Sequence, residues 1–185
     1  MFGNLKNKKF ILNFSILIKF LFVLCLSPME IESSNKHRLI VSFVDPINAF
    51  EWMVVNDNVM GGVSRSRVSI NPDGYMLFNG DVSLEYGGGF ASVRSSYENW
   101  GIGNFEGFVI KVWGDGKSYQ FRCRTGNNFD GVAYRHYFQT NNVNWQEIHL
   151  PFSKFVPTYR GRIISDATPL DPQDIRNIGL MITDK

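Results

Sequence analysis

Arginine side chains at alternating positions are the feature of this sequence best suited to chemistry. Arg122 and Arg124 alternate with apolar residues in "YQFRCR", which places both on one face of a strand. A guanidinium offers a planar fork of donors to carboxylates, phosphates or peptide carbonyls, and it stacks on aromatic rings. Two interpretations are open: a shared binding face, or arginines that pair with acidic residues across strands. The arginines that would extend such a face are Arg94, Arg135, Arg160 and Arg162.

Catalytic and metal-binding patterns are missing from the sequence. His37, His136 and His149 are isolated, and no HExxH, CxxC or GxSxG motif occurs. The glycine-rich segments "GGGF" and "GDGK" precede strand-like sequences, so they lack the helix N-terminus on which a phosphate loop depends. We therefore predict a protein that is not an enzyme and that uses no metal or cofactor.

The elements that must position these arginines are short strands. Beyond residue 38, β-like segments alternate with turn signals and helical periodicity is nearly absent, which predicts an all-β antiparallel sandwich or jelly roll. "RLIVSF" predicts an opening strand, and "YMLFNGDVSLEY" predicts two strands that break near Asn79 and Gly80. "GFVIKVWGDGKSYQFRCR" predicts a hairpin that turns at "GDG". Two alternatives are open for "IGLMIT": it is the last strand, or the chain is truncated there. A sandwich that ends at this segment would lack its closing strand and have an exposed edge.

The N-terminal segment has a basic start and an apolar run over residues 10–26. This composition is typical of a signal peptide or a short anchor, although Lys19 interrupts the run and no small-residue cleavage site follows. The alternative is that translation starts at Met29. We accordingly divide the chain into a leader at residues 1–35 and a domain at residues 36–185. The protein would be membrane-associated or exported with the leader, and cytoplasmic without it.

The net charge of +2 is unevenly distributed along the chain. Residues 1–38 hold six basic and two acidic side chains, a net +4, which leaves −2 for the remainder. A domain with this charge is not expected to bind nucleic acid. Cys25 lies in the apolar run and Cys123 in a strand, so we expect a buried thiol at Cys123 and no disulfide framework.

The segment "NDNVMGGVS", which begins at Asn56, combines turn-forming residues, two apolar residues and a glycine pair. The glycines permit positive φ, so we assign them to folding. Val59 and Met60 are expected to pack onto the sandwich. Asn56, Asp57 and Ser64 are assigned to binding, so that Asp57→Ala would leave the melting temperature near that of the wild type and weaken recovery of a partner.

Several segments occur in the order found in one family. They are Trp52 followed by "NDNVMGGVS" (56–64), "GGFASVRS" (88–95), "GDGKSYQFRCRT" (114–125), "FDGVAY" (129–134), Trp145, "LPFSKFVPTYRGR" (150–162) and "LDPQDIRNIGLMI" (170–182). On these segments the chain resembles the NADH:ubiquinone oxidoreductase complex I intermediate-associated protein 30 domain family. The resemblance extends over about residues 39–185, nearly all of the predicted domain.

The resemblance implies a galactose-binding-like β-sandwich and a non-catalytic, chaperone-like role in assembling a membrane respiratory or photosynthetic complex of the complex I type. Its partners would be protein subunits or assembly intermediates, with membrane association through residues 10–26 as a further expectation. The alternative function is a β-sandwich module that binds carbohydrate or another small ligand, although a fold alone is weak support for a ligand.

These considerations define the candidate site residues. The expected binding residues are Asn56, Asp57, Ser64, Arg94, Arg122, Arg124, Tyr134, Arg160 and Arg162. The expected structural residues of the motifs are Trp52, Met60, Gly61, Gly62, Gly88, Gly89, Asp130, Gly131, Pro157 and Gly161. We expect no catalytic residue and no metal ligand among them.

Overall fold

Strands and turns account for the regular structure of the protein. The computed structural model describes residues 8–15, 37–44, 51–128 and 130–183. Within those ranges there is no α-helix, and short 3-10 segments occur between strands. The strands, numbered in chain order, are β1 (Lys8–Ser15), β2 (Trp52–Asn56), β3 (Arg65–Asn71), β4 (Tyr75–Val82), β5 (Phe90–Ser95), β6 (Gly107–Gly114), β7 (Ser118–Thr125), β8 (Ala133–Gln139), β9 (Gln146–Pro151), β10 (Val156–Tyr159), β11 (Arg162–Ile163) and β12 (Ile175–Thr183).

The strands form two sheets in which every pair is antiparallel. One sheet has five strands in the order β3-β4-β1-β6-β9, and the other has seven in the order β11-β10-β8-β7-β12-β5-β2. The core lies between them, with Phe78 and Ile110 from the first sheet and Phe121 and Leu180 from the second. The all-β sandwich predicted from the sequence is confirmed.

The predicted hairpin over "GFVIKVWGDGKSYQFRCR" is wrong. β6 pairs with β1 and β9, whereas β7 pairs with β8 and β12, so the turn at Gly114–Gly116 carries the chain from one sheet to the other. Phe108 of β6 meets Phe121 of β7 across the core, with ring centroids 4.8 Å apart. Alternating apolar residues suit a hairpin and a sheet-to-sheet crossing equally well, because both give each strand one buried face.

Two further strand predictions need correction. The "RLIVSF" segment pairs with no strand in the described residues, although Val41 and Phe43 are buried in the core. β4 continues through Asn79 and Gly80 without a break. Gly80 is needed there because a Cβ would collide with the backbone of Arg65 in the neighbouring strand.

The predicted exposed edge at the last strand is also wrong. β12 lies in the interior of the seven-stranded sheet and is paired on both sides, with β5 and with β7. The strands at the two ends of that sheet are β2 and β11. The near-continuous burial of β12 follows from its central position, since both of its faces are covered.

The first described segment lies inside the domain and not apart from it. β1 is the middle strand of the five-stranded sheet, between β4 and β6. Leu12 is fully buried in the core, and the Tyr119 hydroxyl donates a hydrogen bond to the Ile11 carbonyl at 3.3 Å. This placement differs from the expectation of a separate leader at residues 1–35. The remainder of that predicted leader, with Cys25 and Met29, lies outside the described residues.

The two faces of β1 differ in burial, which agrees with this placement. Leu12 is fully buried, whereas its neighbour Ile11 is 52% exposed, as expected when successive side chains of a strand point to opposite faces. Without β1, the facing edges of β4 and β6 would lose their hydrogen-bond partners, and the sheet would divide into two pairs of strands.

Neighbouring residues of β1 provide a test of its role. Leu12→Ala is expected to lower the free energy of unfolding by about 3 kcal/mol, because it leaves a cavity in the core. Ile11→Ala, on the same strand but 52% exposed, serves as the matched control and should cost less than about 1 kcal/mol. Urea denaturation of both variants measures the difference. Equal effects would contradict the placement of β1 in the sheet.

Candidate functional site

A buried carboxylate joins two loops at one end of the sandwich. Asp57 follows β2 and is fully buried. Its Oδ1 accepts the backbone N–H of Ser64 at 2.9 Å, and its Oδ2 accepts the backbone N–H of Gly89 at 2.7 Å and of Phe90 at 3.3 Å. The Ser64 hydroxyl also donates to Oδ2 and accepts the backbone N–H of Ser83 at 2.9 Å. We call residues 57–64 and 83–90 together the double-glycine corner.

Glycines around this carboxylate explain the local sequence. A Cβ on Gly62 would collide with the Asp57 side chain, and a Cβ on Gly88 would come within 2.5 Å of Asp57 Oδ2. Gly61 adopts φ +91°, a left-handed conformation that glycine reaches without strain. The assignment of these glycines to folding therefore has a physical basis, since they make room for Asp57 and turn the chain around it.

Hydrogen bonds decide the ionisation of Asp57. Burial by itself raises the pKa of the carboxyl, but the hydrogen bonds from the Ser64 hydroxyl and from the backbone N–H groups of Gly89, Ser64 and Phe90 outweigh it. The net result is a pKa below the ordinary value of 3.8. Asp57 is consequently ionised at neutral pH, and all of these donors belong to the protein itself.

Apolar side chains of the corner point outward. Val59 and Met60 are 72% and 63% exposed, so the expectation that they pack onto the sandwich is wrong. Val63 and Leu84, each one residue from the Ser64–Ser83 hydrogen bond, are also exposed, as is Tyr86. The positions are the reverse of those expected from residue type, because Asp57 and Ser64 are buried and the apolar residues are exposed.

A second feature is a group of arginines on the outer face of the seven-stranded sheet. Tyr119, Phe121 and Cys123 of β7 belong to the core, so Arg122 and Arg124 lie on the opposite face, as the alternation predicts. The register places Gly179 of β12 between Arg122 of β7 and Arg94 of β5. We call Arg94, Arg122 and Arg124 the arginine cluster.

The arginine cluster is buried although it faces away from the core. Arg94, Arg122 and Arg124 are 8%, 9% and 4% exposed. Gly179 permits this arrangement, because a Cβ there would collide with the Val93 carbonyl and lie 3.4 Å from Cγ of Arg94. Buried arginines are rare unless a partner satisfies them, so the contacts of these groups are informative.

Those contacts are made to neutral atoms, and the hydrogen bonds to oxygen are long. Arg122 donates to Oε1 of Gln120 and to Oγ1 of Thr158, each at 3.4 Å, and its Nη1 lies 2.9 Å from Sδ of Met181. Arg124 donates to Oδ1 of Asn177 at 3.3 Å. Within the described ranges, neither arginine makes an ion pair, and the Nε atoms of both have no hydrogen-bond partner.

The pKa values of Arg122 and Arg124 agree with a buried position that lacks an acidic partner. Burial, followed by repulsion from Arg94 and Arg135, lowers the pKa of Arg122 to about 10. Burial, followed by repulsion from Arg94 and Arg122, lowers the pKa of Arg124 to about 9. Both side chains are still charged at neutral pH. The hypothesis that these arginines pair with acidic residues across strands therefore fails for Arg122 and Arg124.

The remaining predicted binding residues lie elsewhere. Asn56 accepts a hydrogen bond from the Ser66 hydroxyl at 2.7 Å. Tyr134 is buried on the core side, where its hydroxyl donates to the Thr168 carbonyl at 2.8 Å. Arg160 and Arg162 are exposed at the hairpin of β10 and β11.

The predicted structural residues take various positions. Trp52 is buried against Phe43, with ring centroids 5.8 Å apart. Gly131 closes a turn by donating its N–H to the Asn128 carbonyl at 3.2 Å, beside the exposed Asp130. Pro157 lies opposite Tyr134 in β10, and Gly161 turns the chain with φ +81°. Cys123 is a buried thiol, as expected.

Several residues around the arginine cluster were missed by sequence reasoning. Their shared property is a position beside the arginine side chains, on the same face of the sheet. They are Gln120, Thr158, Asn177, Gly179 and Met181. Alternation within "IRNIGLMIT" separates Asn177, Gly179 and Met181 from Ile178, Leu180 and Ile182, but that signal does not show which strand is the neighbour.

Metal sites and membrane-spanning helices are both absent from the described residues. In the part of the chain that the structure describes, no three or more His, Cys, Asp or Glu side chains are placed to hold a metal ion. Across the same residues, no helix has the length and apolar character needed to cross a membrane.

The Asp57 network yields a prediction with a defined pH dependence. Asp57→Asn is expected to lower the free energy of unfolding at pH 7 by about 3 kcal/mol, because the amide cannot accept the four hydrogen bonds of the carboxylate. The folded-state pKa is lowered, so the contribution is complete above pH 3.8 and is lost as pH falls through the folded-state pKa. The difference in the free energy of unfolding between the wild type and the variant should therefore become smaller at acidic pH.

Urea denaturation from neutral to acidic pH measures that gap. Asp73→Asn, in an exposed turn, is the control and should change stability by less than about 0.5 kcal/mol. This prediction replaces the expectation from the sequence that loss of the Asp57 carboxylate leaves the melting temperature near that of the wild type. An Asp57→Asn variant as stable as the wild type at every pH would contradict the new prediction.

The sequence matches one protein family over most of its length. The family described as complex I intermediate-associated protein 30 (CIA30) matches residues 41–185. The mitochondrial complex I intermediate-associated protein 30 of Mus musculus is 25% identical over 179 residues, covering 85% of this chain and 54% of that protein. An uncharacterised protein of Schizosaccharomyces pombe is 28% identical over 163 residues, covering 78% of this chain and 74% of the relative. The chain thus spans about half the length of the mouse relative.

Solved structures support the fold. The family 11 carbohydrate-binding module of a cellulosomal cellulase of Clostridium thermocellum superposes with a TM-score of 0.53 at 14% sequence identity, covering 80% of this chain and 88% of that module. At this identity the likeness concerns the fold alone. Together with the ordered motifs and the two-sheet architecture, the family match establishes that this chain belongs to the complex I intermediate-associated protein 30 family.

Proposed function

We propose that this protein is a non-catalytic assembly factor for a membrane respiratory or photosynthetic complex of the complex I type, and that it acts by binding a polypeptide of an assembly intermediate. The membership of the chain in a family named for its association with a complex I intermediate supports this role.

The observation that carries the proposal is the outward display of apolar side chains by the double-glycine corner. Val59, Met60, Leu84 and Tyr86 are between 46% and 77% exposed, on two loops that the Asp57 carboxylate joins. Exposed apolar groups that lie together mark surfaces at which other molecules bind. Because the loops are held by internal hydrogen bonds, little conformational entropy would be lost on binding.

The partner chemistry follows from these side chains. Valine, methionine, leucine and tyrosine favour a partner that also exposes apolar groups, as a subunit does before its own interface is buried. Methionine adapts to irregular surfaces because its side chain is unbranched and polarisable. An incompletely assembled subunit of a membrane complex would offer both an exposed apolar surface and an irregular shape.

Carbohydrate binding is the alternative, and its support is limited to the fold. The carbohydrate-binding module of Clostridium thermocellum shares the sandwich at 14% identity. In this protein, the outer face of the seven-stranded sheet carries the buried arginine cluster, and its neighbour Tyr137 of β8 is exposed. A glycan array measures this alternative directly, with binding above background as the result that would favour it.

Removal of the exposed side chains tests the proposed function. In a crosslinking pulldown read by mass spectrometry, the wild-type chain should recover subunits of a membrane energy-converting complex. Val59→Ser combined with Met60→Ser should reduce that recovery at least about fivefold, because apolar contact area is lost at the centre of the interface. The melting temperature should stay near wild type, since both side chains are exposed.

The matched control is Ile163→Ser, since Ile163 is 62% exposed on β11, away from the corner. Its recovery of subunits should equal that of the wild type. A wild-type chain that recovers no such subunit would overturn the assembly role. Equal recovery by the double variant and the control would show that the corner is not the binding surface.

A further inference from the structure

Tyr86, in the second segment of the double-glycine corner, has a backbone conformation that tyrosine rarely adopts. Its φ is +55° and its ψ is +29°, in the left-handed region, and it is one of two non-glycine residues with positive φ among those that the structure describes. Gly87 follows with φ +75°, and the Gly88 N–H closes the turn by donating to the Glu85 carbonyl at 3.0 Å. A turn with two successive positive φ values favours Asn, Asp or Gly at the first of these positions. A tyrosine there strains the backbone, whereas a glycine would not.

The side chain of Tyr86 does not stabilise the fold in return. It is 77% exposed, and within the described residues its hydroxyl makes no hydrogen bond and its ring no aromatic contact. Arg160, the other residue of this kind, lies in the hairpin of β10 and β11 and places its guanidinium over the Tyr159 ring at 5.3 Å. Strained residues that contribute nothing to packing are found where proteins bind other molecules.

The corner holds the Tyr86 ring in a fixed position. On one side, the Glu85 N–H donates to Oγ of Ser83 at 3.2 Å. On the other side, the Gly89 N–H donates to Oδ2 of Asp57 at 2.7 Å. A tyrosine side chain has two rotatable torsions and a large contact area, so little entropy is lost when a partner covers it.

The charge of the corner restricts the partner. Residues 57–64 and 83–90 contain two acidic side chains and no basic one. Asp57 is buried and accepts hydrogen bonds from the protein itself. Glu85 is exposed and makes no ion pair within the described residues. The negative charge that a partner meets is therefore the Glu85 carboxylate, directly beside Tyr86, and a basic group complements it.

We propose that Tyr86 is the anchor residue of the corner, and that its ring enters an apolar pocket of the assembling subunit whose rim carries a lysine or arginine opposite Glu85. The anchor rests on the proposed function and specifies the surface that binds the corner. Binding energy at protein interfaces is concentrated in a few residues, among which tyrosine is enriched, and these fill pockets on the partner. A rim ion pair adds orientation and partner choice.

Glycine at position 86 separates binding from folding. In the crosslinking pulldown, Tyr86→Gly should reduce recovery of complex subunits at least about tenfold, because the anchor is lost. It should melt no lower than the wild type, since relief of the left-handed conformation offsets the greater freedom of glycine in the unfolded chain. Tyr86→Phe keeps the ring and should retain recovery within about threefold of the wild type. Val143→Gly is the control, since Val143 is 76% exposed outside the corner, and it should leave recovery unchanged.

Direct contact and the basic rim have separate readouts. A benzophenone side chain in place of Tyr86 should, on irradiation, become linked to the subunit that the wild-type chain recovers. The same group in place of Val143 should not. Glu85→Gln should lower recovery about threefold and make it less dependent on salt concentration, because the rim ion pair is lost.

The outcomes distinguish this anchor from the proposed function. A wild-type chain that recovers no complex subunit would overturn the assembly role and the anchor together. Subunit recovery that is equal for the wild type and Tyr86→Gly would overturn the anchor alone. A Tyr86→Gly variant that melts below the wild type would also overturn it, because the side chain would then serve the fold. Recovery by Glu85→Gln that matches the wild type at every salt concentration would overturn the basic rim.

Discussion

The organisation of this protein depends on one ionised carboxylate in a buried position. Asp57 accepts hydrogen bonds from Ser64, close in sequence, and from Gly89 and Phe90, more than thirty residues later. The aspartate thus connects the start of β3 with the start of β5, which belong to different sheets. Four charge-assisted hydrogen bonds offset the cost of burying the charge, so the corner is held by polar contacts and its apolar side chains can remain in solvent.

The arginine cluster differs from Asp57 in how well the fold satisfies its buried polar groups. Asp57 has a full set of internal donors, whereas Arg122 and Arg124 have long contacts to neutral acceptors and unpaired Nε–H groups. A polar group that is satisfied internally serves the fold, and one that is buried without adequate partners is a candidate for a ligand. The contrast is therefore between a carboxylate that the fold satisfies and two arginines that retain unpaired donors, although both groups had been expected to bind a partner.

The sequence predicted the faces of the strands better than their neighbours. Alternation in "YQFRCR" correctly separated Phe121 from Arg122, because side-chain direction along a strand is a local property. The neighbours of β6 and of β7 could not be predicted in the same way, since apolar alternation does not specify the sheet to which a strand belongs. The inward position of Asp57 was equally inaccessible, because its partners at Gly89 and Phe90 are distant in sequence and an aspartate beside a turn suits a local role equally well.

The central claim is that the Asp57 carboxylate joins two loops into one rigid corner. Amide hydrogen exchange of the wild type and of Asp57→Asn tests it most directly, because exchange reports opening residue by residue. The amides of Ser64, Gly89 and Phe90 should be protected in the wild type. In the variant they should exchange much faster and together, while core amides such as that of Phe121 keep their protection relative to global unfolding. Unchanged protection of Gly89 and Phe90 in the variant would contradict the account.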